Sequence, residues 1–264
     1  MDGAEVLAEI KKLHKLNNRR PVKRDSNSLY QATRKFYGTW NNALRVAGYY
    51  VKDFQNPNIP KISPELAYFV GLIITDGHLR YDKKSRSYSI SIYNSYPKET
   101  KTIIKLIKQL FNYSPTIRKR KYGFSKSINN EIIISSKKLV LFLHQTFGIP
   151  LGAKSKIIQL PVIFAKDDEL FYNFLRGVID GDGHIRRKGI SISSQSETFL
   201  KQIKNKLADL SFIRIENART TNSLLIERQN DMRQLYAKLY GSPNFFYNRK
   251  KDAYDNVLKS FLNK

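Results

Sequence analysis

Cysteine is absent from this 264-residue sequence, which excludes a disulfide framework, a thiolate zinc or iron–sulfur site and a cysteine nucleophile. Long hydrophobic runs are also absent, since the most apolar stretches, residues 66–75 and 139–143, are far shorter than the roughly 20 residues of a membrane span. The first five residues are acidic and lack the apolar core of a secretory signal. We therefore expect a cytoplasmic protein with no membrane partner, and an organelle of a eukaryote is compatible with the same features.

Acidic residues are scarce: 22 Asp and Glu stand against 47 Lys and Arg, which gives a formal net charge of +25 and a pI near 10.0. The hydrophobic share of 41% excludes wholesale disorder. The basic excess is spread along the chain, with 18 basic and 5 acidic residues in 61–160 and 18 and 12 in 161–264. A folded basic surface of this kind predicts a polyanionic partner.

The first segment of the chain has the pattern of a small helical domain. Apolar residues recur at helical spacing from Val6 to Leu16, Pro21 ends that run, and two further short helices are predicted before Gly48. Residues 55–61 contain two prolines and no apolar period, which is typical of a linker. We therefore predict an all-α accessory domain at 1–54 and a linker at 55–61.

The rest of the sequence contains a long internal repeat. Residues 66–78 and 170–184 are matching apolar helices that each end in Asp-Gly-His, and their final aspartates, Asp76 and Asp182, lie 106 positions apart. A run with period-two alternation follows each helix, as expected for a strand with one buried face. Further helices are predicted at 102–111, 137–147, 197–210 and 231–240, and further strands at 115–118, 131–135, 212–216 and 223–227. We predict an α+β fold with two αββαββα halves, 62–160 and 161–264.

The repeated helices are apolar on nearly every side and should be buried all round. Gly71 lies four positions before Thr75, and Gly177 four before Gly181, so each pair shares one narrow face where two helix backbones can meet. If the helices pack together, Asp76 and Asp182 converge at their C-terminal ends. Gly77 and Gly183 would then be left-handed caps of the two helices.

Two carboxylates at the negative ends of two helix dipoles repel each other, which raises their pKa values unless a cation neutralises them. Hard oxygen ligands in an open, hydrated site suit Mg²⁺, and Mn²⁺ can substitute. A carboxylate metal site beside a surface for polyanions points to phosphodiester hydrolysis. One Asp-Gly after a helix is usually only a turn, but two copies in matched context favour a site. A calcium loop at residues 180–184 is excluded because its next oxygen position falls on His184.

The paired segments 69–77 and 175–183 resemble the doubled signature of the LAGLIDADG homing endonucleases, in a likeness that covers residues 62–264. The resemblance implies pseudo-symmetric halves that form an antiparallel β saddle over double-stranded DNA, in a monomer. It also implies Mg²⁺-dependent staggered double-strand cleavage of a long site. The motif departs from the family pattern at Ile74, which replaces its first acid, and at Thr75 and Gly181. Asp180 keeps the first acid, and we interpret it as structural.

The resemblance also assigns roles to residues. The metal-binding acids fall on Asp76 and Asp182, and the basic residue near each scissile phosphate falls on Lys154 and Lys250, which are expected to be catalytic. An ordinary phosphate contact is as good an interpretation of each lysine. The expected DNA-binding residues lie in or beside the strands: Arg80, Lys83, Lys84, Arg86, Asn94, Arg118, Lys119, Arg120, Lys121, Arg186, Arg187, Lys188, Gln195, Arg214, Arg219 and Arg228.

The N-terminal segment has a resemblance of its own. Arg20-Pro21, residues 36–44 and Ala47-Gly48 are similar to the helical repeat found beside homing endonucleases. Basic residues there would bind DNA outside the main footprint, and a stabilising cap without DNA contact is the alternative. Those residues are Lys23, Arg24, Arg34, Lys35 and Arg45.

Two other functions are compatible with the same basic saddle. The first is an RNA-binding maturase, for which the partner is intron RNA. The second is a DNA-binding regulator without cleavage activity. The pair Asp76 and Asp182 argues against the regulator, since a protein that does not cleave gains nothing from two buried like charges.

Overall fold

The computed structural model describes residues 1–51, 55–121, 128–186, 189–241 and 243–262. Within them the chain forms two compact units, Met1–Gln55 and Asn56–Lys264. The predicted α+β class is confirmed, since helices accompany two four-stranded antiparallel sheets. None of the helices in the described ranges is both long enough and apolar enough to span a membrane.

The first unit is helical. A capping box starts its first helix, because the Asp2 carboxylate accepts from the Glu5 backbone and Glu5 from that of Asp2. Its core surrounds Trp40, with Ile10 and Leu44 among the buried neighbours. The helices are α1 (Gly3–Asn17), α2 (Asn27–Tyr37) and α3 (Trp40–Val46), with a 3₁₀ turn at Lys23–Asp25.

The second unit contains the two predicted halves, each in the order αββαββα. The first half is α4 (Pro64–Thr75), β1 (Gly77–Asp82), β2 (Ser87–Asn94), α5 (Pro97–Phe111), β3 (Thr116–Lys121), β4 (Ile128–Ile134) and α6 (Lys137–Phe147). A short helix, α7 (Val162–Ala165), joins it to the second half. The second half is α8 (Asp168–Asp182), β5 (Gly183–Arg186), β6 (Gly189–Ser194), α9 (Glu197–Lys206), β7 (Ile213–Asn217), β8 (Asn222–Ile226) and α10 (Gln229–Tyr240), followed by α11 (Asn248–Ser260).

The two sheets have the same topology, β1-β2-β4-β3 and β5-β6-β8-β7. Their registers also correspond, since Gly77 pairs with Ile92 and Gly183 with Ile192. The face with Ile92 and Ile192 is buried in one continuous core together with α4 and α8. The opposite face of each sheet therefore points away from this core.

The two central helices begin where the sequence predicts. Ser63 caps α4 with Pro64 in the first turn, and the Asp167 side chain accepts from the backbone of Leu170 at the start of α8. Residues 56–61, predicted as a linker, lie along the first half, because the Asn58 backbone donates to the carbonyl of Phe111 at 2.9 Å.

Three local predictions are wrong. Gly77 and Gly183 are not left-handed caps: Gly183 has φ −67° and ψ 139°, and Gly77 is not among the described glycines with positive φ. Each of these glycines is the first residue of a strand that packs tightly against the preceding helix. A Cβ on Gly77 would lie 2.6 Å from Ile73 Cα.

The other two wrong predictions are helix ends. Helix α5 starts at Pro97 instead of residue 102, because proline fits the first turn of a helix. Helix α9 ends at Lys206 instead of residue 210, where a turn closes from Leu210 N to Leu207 O.

Candidate active site

The central helices α4 and α8 touch along their glycine faces. A Cβ on Gly71 would lie 2.9 Å from Gly177 Cα and would overlap the carbonyl oxygen of Phe174. Nearer the C-terminal ends, a Cβ on Gly181 would lie 2.6 Å from Thr75 Cβ. Side chains larger than hydrogen would separate the helices, so the small residues set the close approach.

This approach places two carboxylates at adjacent helix ends. Asp76 caps α4 and Asp182 is the last residue of α8. Asp76 Oδ2 reaches the other helix, since it would lie 3.3 Å from a Cβ on Gly181. Burial and the negative charge of Asp182 together raise the pKa of Asp76 to about 7, against the opposing charges of Lys250 and Lys154. Burial also raises the pKa of Asp182. A bound cation would stabilise the ionised form of both carboxylates.

Lys154 and Lys250 both lie beside these helix ends. The Lys154 ammonium donates to the carbonyls of Ile74 and Thr75, and the Lys250 ammonium donates to the carbonyl of Gly183. Burial lowers the pKa of both lysines, and the nearby acids act in the opposite direction. An ammonium fixed on main-chain carbonyls keeps its position before any ligand arrives.

The charges couple across the two halves. Lys250 of the second half acts on the pKa of Asp76 more strongly than Lys154 does. Lys154 of the first half in turn acts more strongly on Asp182. Both lysines thus act on both carboxylates, and each ammonium is hydrogen-bonded at the helix end of its own half.

Two cavities flank the helix ends, and each mixes residues of both halves. One of about 260 Å³ contains Asp76 and Asn94, together with Arg249 from the second half. The other, of about 300 Å³, contains Asp182 and Gln195, together with Lys154 from the first half. The unit thus contains a pair of sites that the repeat relates to each other.

The residues that would hold a metal are the two aspartates. Among the described residues, no group of three or more His, Cys, Asp or Glu side chains is placed for a metal ion. Mg²⁺ in proteins is commonly bound through one or two carboxylates, with waters and substrate phosphates completing its shell. A buried pair of oxygen-only ligands with raised pKa values fits a hard divalent cation bound together with a phosphate.

Three residues of the first cavity are absent from the sequence-based assignment: the buried Glu99 and Tyr247, and the exposed Arg249. Glu99, only 4% exposed, accepts from the Asn94 side chain at 3.1 Å and from Arg249 Nε at 3.1 Å. Glu99 lies before the helix that the sequence predicts at 102–111, and Arg249 is 150 positions away, so no local signal connects them. The cluster is visible only once the halves have packed.

Asp180 is structural in a specific way. It is 1% exposed, and its carboxylate accepts from Tyr68 OH at 2.8 Å, Tyr240 OH at 3.2 Å and the backbone of Tyr247 at 2.8 Å. Burial raises its pKa to about 7 even though the hydrogen bonds from Tyr68 and from the Tyr247 backbone act to lower it. It therefore joins both central helices to the segment that carries Lys250.

Because side chains alternate along a strand, the predicted DNA-binding residues are divided between the two faces of the sheets. Arg80 is paired with Ser89, and Arg118 with Glu131, on the face that points away from the helices. Lys119 pairs with Asn130, at a register position of the opposite face. In the second half the outward face includes Arg186 and Arg214. Arg120 also lies outward and is ion-paired with Glu131 at 2.6 Å.

The other predicted DNA-binding residues lie in turns, at strand ends or in the cavities. Asn94 is buried and bonded to Glu99, whereas Gln195 is exposed at the second cavity. Arg228 stacks on Phe212 with its guanidinium carbon 5.0 Å from the ring centre. Arg187 and Lys188 lie outside the described residues. The remaining positions are Lys83, Lys84 and Arg86 between β1 and β2, Lys121 at the end of β3, and Arg219 between β7 and β8.

Comparisons with known proteins agree with this architecture. The family model described as LAGLIDADG-like domain matches residues 63–146 and 171–240, which span most of the two halves. A glutamine–fructose-6-phosphate aminotransferase (isomerizing) of Methanocaldococcus jannaschii is 27% identical over 223 residues, or 80% of this chain and 19% of that protein. The chain thus spans about a fifth of that relative's length.

Solved structures share the fold. The structure of the homing endonuclease I-DmoI in complex with DNA and Mn superposes with a TM-score of 0.52 and 21% identity, over 68% of this chain and 98% of that one. Full-length DUF199/WhiA from Thermatoga maritima gives a TM-score of 0.50 and 19% identity, over 77% of this chain and 63% of that one. At these identities the likeness is one of fold.

Proposed function

Because the chain belongs to the family of the LAGLIDADG-like domain, we propose that it is a homing endonuclease that makes a staggered double-strand break in a long DNA site with the help of Mg²⁺. The observation that supports this most strongly is the pair Asp76 and Asp182 at the adjacent ends of α4 and α8. The fold shared with I-DmoI, which has been solved with DNA and Mn, supports the same assignment.

In this proposal Asp76 and Asp182 would hold the cation. A divalent cation supplies Lewis-acid polarisation of a phosphate oxygen and favours hydroxide over water as the nucleophile. A bound cation would keep both carboxylates ionised at neutral pH despite their burial.

The two lysines act on the reacting phosphates from the protein side. Each ammonium is fixed by main-chain carbonyls beside one carboxylate, so it faces developing negative charge without reorganising. Their lowered pKa values also ease proton exchange with nearby water. Both lysines act electrostatically on both aspartates, so the two ammonium groups and the two carboxylates form one charged cluster under the DNA.

The outward sheet faces bind the duplex. A two-stranded antiparallel ribbon fits the major groove, where arginine reads guanine edges and lysine contacts phosphates. Arg80 and Arg118 in the first half, and Arg186 and Arg214 in the second, occupy such positions. Two sheets with matched topology would each read half of a long, only partly symmetric site.

The helical unit would add DNA contacts outside this footprint. The five basic side chains of this unit that are predicted to bind DNA are exposed: Lys23, Arg24, Arg34, Lys35 and Arg45. Replacing Arg34 and Lys35 with alanine should shorten the DNA segment protected in a footprint and leave the cleavage position unchanged. A footprint of unchanged length would favour a stabilising cap.

The test of the main proposal is cleavage of a randomised library of double-stranded DNA by the purified chain, with Mg²⁺ and with chelator in parallel. Recovery of a long consensus cut on both strands, only with metal, is the expected result. The variants Asp76→Asn and Asp182→Asn are the controls for contaminating nuclease. Tight DNA binding without cleavage would instead establish a regulator, and binding restricted to structured intron RNA would establish a maturase.

A further inference from the structure

The two sites are related by the repeat but are not built alike. Asp76 and Asp182 correspond, and the register of β2 and β6 makes Phe199 the equivalent of Glu99. Asp76 and Asp182 lie 106 positions apart, and the same offset makes Ile74 the counterpart of Asp180. The carboxylates of Glu99 and Asp180 thus have apolar counterparts in the other half.

Both unmatched carboxylates contact the segment that carries Lys250. Asp180 accepts from the Tyr247 backbone at 2.8 Å, three residues before the lysine. Glu99 accepts from Arg249 Nε at 3.1 Å, one residue before it. Arg249 is further fixed by stacking, with its guanidinium carbon 4.2 Å from the centre of the Tyr96 ring.

Burial makes these contacts strong positional restraints. Glu99 is 4% exposed and Asp180 is 1% exposed, so neither can exchange its partners for water without a large cost. Charge-assisted hydrogen bonds from Arg249 and from a main-chain N–H are also among the stronger kinds in proteins. The segment from Tyr247 to Lys250 is consequently held by two carboxylates, Asp180 at Tyr247 and Glu99 at Arg249.

The equivalent segment of the first half is held differently. Its contacts are main-chain ones: Gly152 N donates to Leu79 O at 2.8 Å, and Leu151 forms a parallel bridge with Leu79. Arg249 corresponds to Ala153, by the offset that relates Lys250 to Lys154. The Lys154 segment is therefore held by β1 and its ammonium by the end of α4, and no hydrogen bond described for it involves Glu99 or Asp180.

We propose that Glu99 and Asp180 are positioning residues for Lys250, and that they support cleavage of one DNA strand much more than cleavage of the other. The proposal rests on the endonuclease function and adds to it a division of labour between the two sites. Loosening the Tyr247–Lys250 segment moves one ammonium and leaves the other in place. Since displacement of a catalytic group by about 1 Å can cost on the order of 10²-fold in rate, strand selectivity is the signature of such a role.

The test follows cleavage of each strand of the cognate duplex separately, with a different label on each strand, in Glu99→Gln and Asp180→Asn. We expect the rate for one strand to fall roughly tenfold or more while the other changes little, so that nicked duplex accumulates. The strand that these variants cut more slowly should be the same strand that Lys250→Met leaves uncut. The two bands of a denaturing gel report this ratio directly.

Asp231→Asn is the matched control. Asp231 is also a buried carboxylate of the second half, bonded to Ser211 and to the backbone of Phe212, and it makes none of the contacts described for the Lys250 segment. Its replacement should reduce stability and slow both strands equally. A general loss of packing is thereby separated from a loss of position.

A second measurement does not depend on activity. Hydrogen exchange of the metal-free protein should become faster in peptides covering 245–251 in Glu99→Gln and Asp180→Asn, and stay unchanged in peptides covering 149–156. Equal slowing of both strands, or unaltered exchange at 245–251, would overturn the inference while leaving the endonuclease assignment intact. A wild-type protein that cuts no DNA would overturn both.

Discussion

Gly71 and Gly177 face each other where α4 crosses α8, with so little room that a Cβ on either glycine would lie about 3 Å from the other's Cα. The obstacle is main chain, including the carbonyl oxygens of Phe174 and Tyr68, and it cannot rotate away as a side chain can. The spacing of the two carboxylates at the helix ends therefore depends on these two glycines.

Gly71→Ala should destabilise the protein by about 3 kcal/mol or more, at the upper end of overpacking effects, because the added methyl meets backbone. Urea unfolding followed by circular dichroism measures the change. Gly148→Ala is the control: Gly148 has φ 68° and open space around it, so only the left-handed backbone opposes substitution, at a cost of about 1 kcal/mol. Equal losses in the two variants would contradict the close helix contact.

Asp76→Asn and Asp182→Asn should each reduce double-strand cleavage by on the order of 10²-fold or more, because each removes a charged cation ligand. DNA binding should persist or tighten, since repulsion between carboxylate and phosphate is reduced. A gel-shift titration and a plasmid linearisation assay separate the two effects. Asp252→Asn, which alters an exposed aspartate of α11, should leave both unchanged.

The central helices and their aspartates were predictable because the information is local and occurs twice. An all-apolar helix ending in Asp-Gly identifies a buried element with a charged tip, and the second copy indicates what it packs against. The strands were predictable in the same way from alternation, although their ends shifted by a few residues.

The parts that could not be predicted depend on contacts between distant segments. Glu99 contacts Arg249, which is 150 positions away in the sequence, and Asp180 contacts Tyr68, which is 112 positions away. No periodic pattern in the sequence predicts either contact. The same limit explains Gly77: the residue is glycine because Ile73 main chain lies against it, whereas the local pattern indicates only a helix end. Alternation also separates Lys119 from Arg118, but only after the register of β3 on β4 is known.

DNA binding should weaken steeply with salt, and the slope should respond to the outward arginines. Neutralising one phosphate contributes a slope of about −0.9 to the plot of log K against log salt for duplex DNA. Arg80→Ala and Arg186→Ala should each make the slope shallower by about one such unit where the side chain contacts phosphate, and relax base preference where it reads a base. Lys201→Ala, on an exposed part of α9 paired with Glu197, should leave the slope unaltered. A flat wild-type profile would contradict the basic outward faces.

The metal-free protein should lose stability as the pH rises from about 4 to 7. Burial and the charge of Asp182 raise the pKa of Asp76 to about 7 in the folded state, while an aspartate in the unfolded chain titrates near 3.9. Within this window the folded state binds more protons than the unfolded state, so the free energy of unfolding falls with rising pH. Asp76→Asn should make this dependence shallower, with Asp180 and Asp182 still contributing to it, and should stabilise the protein at pH 8 by on the order of 2 kcal/mol, as saturating Mg²⁺ should in the wild type. Thermal melts across the pH range measure both effects. If the variant is less stable than the wild type at pH 8, the two buried carboxylates do not repel each other strongly enough to destabilise the fold, and the prediction is wrong.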